Sequence, residues 1–474
     1  MMMRACAVAL VLIAGSAIGQ VEVSEDGRTI ATFEDFGGVG ASAVEGAGVP
    51  FGTEPDWQNA LRRQVGALEI ADMNGDGIND LVVGCYISNS FPPYEFWQNL
   101  IYFGTGSGLE AEPGWVSDDQ VSTTDIKIGD INLDGFLDIY ASNGGSFSDS
   151  VIYFGSAAGP STSPGWVANE PEATFSLGVA LFDVENDGDL DVITTNQGLN
   201  PDPFRRMYMF INDNGTLPTV PSWESDERSI QNSIAIADYD GDGFNDVFVT
   251  KWTNFETAIH RNNGGVLDTS VTWTTGRDTS DRGAAAADFD GDGKVDFVVG
   301  RSGSANPSQS YRNTSTGPTP MLSPDWTSGA PFIGIQDIRA ADVDGDGDAD
   351  IGEVHFSDGR AHIYLNNGGV LSTAPDWTYD ATQVGTAIVF GDLNSDGVTD
   401  VAVGYSGDVS IRVFYGQAAE CLADTNGDGE LTPADFNAWI AAFNSQSPAC
   451  DQNGDGLCNP SDFNAWIANF NLGC

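Results

Sequence analysis

A nine-residue string of the form D-x-[DNE]-x-D-G-x-x-D occurs seven times, beginning at Asp72, Asp130, Asp183, Asp238, Asp288, Asp342 and Asp392. Successive copies are 58, 53, 55, 50, 54 and 50 residues apart. A tryptophan precedes each copy by 15 to 17 residues: Trp57, Trp115, Trp166, Trp223, Trp273, Trp326 and Trp377. A double register of this kind means that one supersecondary unit has been repeated along the chain.

Each unit divides into short strands bounded by Gly, Asn and Asp turns. A run of small apolar residues leads into the string, as in GALEIAD and NSIAIAD. A second run leaves it, as in DLVVG and DVFVT, and a third carries aromatic and β-branched residues, as in IYFG and IRVFYG. A fourth passes through the tryptophan. No helical period stands out between Val21 and Tyr415. Four strands per unit and seven units predict an all-β, seven-bladed β-propeller over residues 20–417. Seven separate small domains are disfavoured, because one four-stranded sheet cannot bury both of its faces alone. The first unit opens with PFGTEPDW and the last ends at IRVFYG, so the N-terminal segment is expected to lend a strand to the last blade and close the ring. Residues 21–50 have no place in the repeat.

After Gly416 the pattern changes. ADTNGDGELTPADFNAWIAAFN is followed by CDQNGDGLCNPSDFNAWIANFN, a duplication at 27 residues. Each copy reads as an acidic loop followed by an amphipathic helix. Phe436, Trp439, Ile440 and Phe443 share one helical face at i, i+3, i+4 and i+7, and Phe463, Trp466, Ile467 and Phe470 repeat it. Residues 418–474 therefore form a second, small α-helical domain.

The acidic strings have the chemistry of calcium loops. Calcium takes six to eight oxygen ligands, and oxygens at alternate positions of a tightly turned loop can surround one ion. The glycine at position six permits the turn. The expected side-chain ligands of the fourth loop are Asp238, Asp240, Asp242 and Asp246, with the carbonyl of Phe244 and the turn at Gly243. The fifth uses Asp288, Asp290, Asp292 and Asp296, and the sixth Asp342, Asp344, Asp346 and Asp350. Three others substitute an amide oxygen at position three: Asp72, Asn74, Asp76 and Asp80 in the first; Asp130, Asn132, Asp134 and Asp138 in the second; Asp392, Asn394, Asp396 and Asp400 in the seventh. The third has Asp183, Glu185, Asp187 and Asp191, where the longer Glu185 implies a different coordination. The competing reading of any one loop is an Asp-Gly turn without metal.

The seven DxDxDGxxD-type loops set between strands resemble the FG-GAP or VCBS repeats of integrin α-chain propellers and bacterial surface proteins. That resemblance covers roughly residues 50–415. It implies calcium on one face of a seven-bladed propeller, and adhesion or ligand binding as the function. The C-terminal pair resembles a dockerin of the cysteine-bearing, GC-type kind. It implies EF-hand-like ligands at Asp424, Asn426, Asp428, the carbonyl of Glu430, Thr432 and Asp435, then at Asp451, Asn453, Asp455, the carbonyl of Leu457, Asn459 and Asp462. The expectation is thus up to about nine calcium ions. Position twelve is Asp, as in dockerins. The cysteines depart from cellulosomal dockerins, which puts a conventional cohesin partner in doubt and leaves a cohesin-like or envelope partner as the expectation.

Charge agrees with metal. The net charge is −51, and 34 of the 69 acidic residues lie in the nine loops. Such a charge excludes ordinary electrostatic binding of nucleic acid. Without cations the carboxylates of each loop would repel one another. The N-terminal MMMRACAVALVLIAGSAIGQ reads as a signal peptide over residues 1–19: Arg4, a short apolar run, then small Ala17 and Gly19. No later stretch is long and apolar enough to span a bilayer. The mature chain is expected to be secreted or held at a bacterial cell surface. Cys421, Cys450, Cys458 and Cys474 cluster in the small domain and predict disulfides. A local Cys450–Cys458 bridge with a Cys421–Cys474 bridge between the domain ends is favoured, and two other connectivities remain open. Cys85 is expected as a buried thiol.

No catalytic motif is present. His260, His355 and His362 are the three histidines. His355 and His362 flank a short loop and are expected on the surface. The chain is expected not to be an enzyme. Its ligand is expected to be an extracellular protein or glycan. A lectin is the alternative, with Trp97 and Trp252, outside the tryptophan register, as the aromatics to inspect. A polysaccharide lyase or hydrolase is the weaker alternative, suggested by the dockerin association.

Overall fold

The computed structural model describes residues 20–23, 29–32, 48–86, 97–144, 149–172, 175–198, 202–252, 255–276, 280–301, 307–315, 322–329, 334–407, 409–417, 422–427, 431–453 and 456–472. The expected signal peptide lies outside them. Among the described residues before the C-terminal domain, every regular element is a strand.

Each repeat begins with a strand of small residues that ends at its acidic loop: Arg63–Ala71, Thr123–Gly129, Phe175–Phe182, Ile230–Ala237, Asp281–Ala287, Ile335–Ala341 and Val384–Gly391. These first strands pack side by side in that order, and Val384–Gly391 returns to Arg63–Ala71, so they close a ring. Small side chains suit this position because the strands converge there. A Cβ on Gly66 would lie 2.0 Å from the carbonyl oxygen of Thr123 in the next first strand. All seven first strands also carry a bulge or register shift where they pair with the second strand, for example between Val65 and Ala67. Bulges increase local twist.

The second strands, such as Asp80–Tyr86, Asp246–Trp252 and Asp350–His355, are buried at nearly every position. They are sandwiched by neighbouring sheets on both faces, which is why their sequences read as continuous apolar runs rather than alternating ones. The third strands follow, and the fourth strand contains the repeated tryptophan. Five sheets are separate, antiparallel and four-stranded. The eight remaining propeller strands form one sheet. Within it, Ser406 pairs with Gln64 and Gly407 with Arg63, and Trp57–Gln58 pairs with Arg412 and Val413. The predicted closure by the N-terminal segment is thus seen at Trp57 and Gln58.

The tryptophan register acquires a physical reason. The indole N–H of Trp115 donates to the carbonyl of Pro160, and Trp166, Trp223, Trp326 and Trp377 donate to Leu217, Leu267, Ser372 and Gly52 at 2.8–3.1 Å. Each clamps the outer edge of one sheet to the following unit. Near the ring axis, Lys127 pairs with Glu69, and Arg339 lies 3.5 Å from both Glu69 and Asp337. The strands carrying Glu69 and Arg339 are not neighbours in the ring, so their ion pair reaches past the intervening strand Val384–Gly391.

Two helices, Pro433–Ser445 and Pro460–Leu472, form the C-terminal unit. Thr432 caps the first: its hydroxyl accepts the Ala434 N–H and Asp435 accepts the Thr432 N–H, a capping box. Trp439, Ala442, Cys450 and Trp466 are buried together, with Phe436, Phe443 and Phe470 packed on them. The predicted apolar face needs correcting at Ile440 and Ile467, which are exposed, whereas Phe463, though partly open to solvent, packs its ring on Phe436 and Trp439. Bulky indole rings on both helices meet first and hold the i+4 isoleucines out of the seam. Cys450 and Cys458 are disulfide-bonded, whereas Cys421 and Cys474 lie outside the described residues. No helix among the described residues is long and apolar enough to cross a membrane.

Candidate metal centre

The seven acidic loops share one hydrogen-bond scheme. The position-one carboxylate accepts the position-six N–H: Gly77 to Asp72, Gly135 to Asp130, Gly188 to Asp183, Gly243 to Asp238, Gly293 to Asp288, Gly347 to Asp342 and Gly397 to Asp392, at 2.7–3.1 Å. That wrap needs a left-handed residue at position six, and Gly243 has φ 90°. Position four is left-handed as well. There Leu133, Asn186 and Ser395 replace the usual glycine at φ 59°, 57° and 64°.

Position nine ties the loop to the rest of its sheet. One oxygen of Asp246 accepts the Tyr239 N–H at 3.1 Å, and the other accepts the Asn262 N–H at 2.7 Å. Asp80, Asp138, Asp191, Asp296, Asp350 and Asp400 do the same with the N–H at position two and the N–H at the end of the third strand. All seven are buried. Burial pushes their carboxyls up, to about 6 for Asp80, about 7 for Asp138, Asp246, Asp296 and Asp400, and about 8 for Asp191 and Asp350. Desolvation and, to a smaller extent, the neighbouring carboxylates push up and together outweigh the downward pull of the N–H donors.

Carboxylate oxygens converge where sequence placed them. Asp238, Asp240 and Asp246 each bring a ligand atom within 4.8 Å of the others, as do Asp288, Asp290 and Asp296, and Asp342, Asp344 and Asp350. Position five is not part of these trios. Its carboxylate accepts the position-seven N–H, as Asp242 does from Phe244 at 3.0 Å. Arg261 pairs with Asp240 and lies 2.7 Å from Asp242, and Arg312 pairs with Asp290. Neither arginine was foreseeable from the loop motif, because both arrive from the third strand. A divalent cation fits this donor set. Three oxygens converge, one of them is buried with a raised pKa, and the loop adds a position-five carboxylate and backbone carbonyl oxygens.

Residues 72–141, 183–249, 238–299 and 288–352, together about half of the chain, match the FG-GAP-like repeat. The chain belongs to the FG-GAP-like repeat family. Two solved structures share the propeller fold of these repeats at 13% identity and a TM-score of 0.50: the crystal structures of BBS1N in complex with ARL6DN, soaked with lead and with mercury. The match covers 76% of this chain and 94% of the first structure, and 77% and 98% for the second. No curated protein matches the sequence closely enough to serve as a guide.

In the C-terminal loops, Asp435 accepts the N–H of Asn426 and Thr432, and Asp462 those of Gln452 and Asn459. Asp424 accepts from Gly427 and Asp451 from Gly456, both at 2.7 Å. Thr432 and Asn459 cap the helices, with Asn459 accepting from Ser461. The predicted ligands Asp428, Glu430 and Asp455 lie outside the described residues. Asn453 donates to Ser461 at 3.0 Å, and Leu457 is exposed.

Trp97 and Trp252 are not open aromatic platforms. Both are half-buried, with the guanidinium of Arg63 4.3 Å from the ring centre of Trp97 and that of Arg282 5.0 Å from Trp252. Cys85 is buried as expected, and burial pushes its thiol up to about 12.

His355 and His362 are buried, which corrects their expected surface placement. They flank the predicted turn, but their side chains face inward. Glu353 pairs with His362 across the second and third strands of the sixth repeat, and period two puts His355 on the same face as Glu353 and Tyr364 on the same face as His362. That face packs on the fifth sheet. The pattern E-x-H, short turn, H-x-Y was the available signal, and it becomes readable once the hairpin register is known.

Proposed function

We propose that this FG-GAP-like repeat protein is an exported, calcium-stabilised propeller that recognises an extracellular macromolecule, with its C-terminal helix pair as a dockerin-like attachment module. The eight-stranded sheet counts in this reading as two blades fused near the ring, which brings the blades to seven. The carrying observation is the common geometry of the seven loops, each joining a first strand to a second at the same end of the ring. In the fourth, fifth and sixth loops three carboxylates converge, and burial holds the position-nine aspartates well above the usual carboxylate range, a cost that a divalent ion would offset. Calcium would neutralise the loops and fix that end of the propeller as a rigid surface. A protein ligand fits a family fold that, in BBS1N, is seen in complex with ARL6DN. No catalytic role is assigned.

Melting of the full mature chain in millimolar calcium and in EDTA tests the metal. A ligand bound only by the native state adds about 2.7 kcal/mol per site at a hundredfold excess over Kd. The calcium form should melt many degrees higher. Equal melting temperatures would remove calcium from the account. Deleting residues 418–474 should release the propeller, still folded, from the cell surface. Retention there would refute the tether.

A further inference from the structure

We propose a second kind of metal site, built by Glu353, His355 and His362, that takes a transition-metal ion such as zinc and is independent of the calcium reading. The three residues each present a ligand atom within 4.8 Å of the others, and all three are buried. His355 Nε2 lies 3.3 Å from Glu353 Oε1, and His362 Nδ1 lies 3.4 Å from the same oxygen. Two atoms bound to one tetrahedral ion at about 2.0–2.1 Å stand roughly 3.3–3.4 Å apart. The observed spacings therefore need little rearrangement to admit an ion.

The surrounding groups support a ligand role. Ser308, from the neighbouring fifth repeat, donates to Glu353 Oε2 at 2.6 Å and fixes the carboxylate. Asp358 Oδ1 stands 3.2 Å from His355 Nδ1, the arrangement in which a carboxylate orients a ligating imidazole. Tyr364 donates to Glu353 Oε1 at 3.0 Å and lies 3.4 Å from His362 Nδ1, so its oxygen is the nearest group for a fourth position. Trp326 stands edge-on over Tyr364 at 5.3 Å. His362 also lines a cleft of about 470 Å³ with Arg360, Thr373 and Thr378, which offers a path for the ion.

The donor set separates this site from the acidic loops. Calcium is a hard cation that takes oxygen ligands. Two imidazoles and one carboxylate suit zinc, copper, iron or nickel. The location differs as well. Glu353 is three residues beyond Asp350 on the same strand, or roughly 10 Å from the calcium loop toward the opposite end of the sheet. An ion here would stitch the fifth and sixth repeats together through Ser308 and the hairpin.

Cobalt titration of untagged, chelator-stripped full-length protein in saturating calcium tests the site. The expected result is about one equivalent of Co²⁺ with visible absorption of nitrogen-coordinated tetrahedral geometry, displaced by Zn²⁺ and not by added calcium. His355→Ala and His362→Ala should abolish it. Ser308→Ala, which leaves the three ligands in place, should weaken Co²⁺ affinity by roughly 10–100-fold. Calcium-dependent melting of each variant reports folding separately. Absence of the absorption in the wild-type protein, or its persistence in both histidine variants, would overturn the proposal.

Discussion

Trp377 donates its indole N–H to the backbone carbonyl of Gly52, 2.9 Å away and 325 residues earlier in the chain. The contact is one of several that join the two ends of the ring. Asn59 is the most committed of them. Its amide donates to Ser410 Oγ and to the Leu61 carbonyl, and its oxygen accepts the N–H of Ser410 and of Ile411, at 2.9–3.1 Å.

Asn59→Ala should therefore destabilise the whole propeller rather than one repeat. It leaves two buried N–H groups unpaired, at about 1–3 kcal/mol each. Urea unfolding in calcium should show a lower midpoint for the entire transition. An unchanged midpoint would mean that closure at this strand contributes little.

The position-nine and position-five aspartates should behave differently. Asp246→Ala removes two backbone hydrogen bonds as well as a calcium ligand, so it should lower stability in EDTA by about 2–5 kcal/mol. Asp242→Ala loses the turn bond to Phe244 and an exposed ion pair with Arg261, and it should weaken calcium binding at that one loop with a change of about 1 kcal/mol or less in EDTA. Denaturation of both variants with and without calcium separates the two roles. Equal losses in EDTA would contradict the assignment.

The calcium-free protein should become more stable as pH falls from about 8 toward 4. Folding raises the seven position-nine carboxyls to about 6–8 from 3.8. Their contribution is complete below 3.8 and is lost as pH rises through the folded values. Two buried groups oppose this at the acid end. Glu353 is held at about 2, because hydrogen bonds from His355 and His362 outweigh its desolvation, and burial lowers His260 to about 4. With calcium bound the trend should reverse, because protonation competes with the ion. Melting temperatures between pH 4 and 8, with EDTA and with calcium, give the two slopes. Parallel slopes would contradict the scheme.

Leu133→Gly should stabilise the second loop. A leucine at φ 59° costs about 1–2 kcal/mol, partly offset by the greater freedom of glycine in the unfolded chain. A gain of about 0.5–1 kcal/mol in thermal unfolding is expected. A loss would mean that the leucine side chain contributes more by packing than its backbone costs.

Much of the scaffold was legible because the repeat fixes both partners of a contact at once. The Asp string marks the junction of first and second strands, and the tryptophan marks the fourth strand. What escaped depends on register between units. The indole clamp of Trp166 needs the carbonyl of Leu217, 51 residues away, and no spacing within one unit announces it. Period two shows that Glu353 and His355 share a face, but not that the face meets Ser308 of the next sheet. Isolated histidines beside a turn therefore read as surface residues. Ile440 was misplaced for a related reason: its helical position is right for the seam, but the partner indoles fill it first.

The strand that completes the final sheet begins the propeller in sequence. Asn59 and Ser410 are 351 residues apart, so during synthesis at about 5–20 residues per second the first edge waits roughly 20–70 s for its mate. Until then the ring is an open arc whose outermost repeats each expose an unpaired border, the kind of edge other chains can add to. Until the two ends can meet, a cell making this protein has to keep that arc apart from its copies.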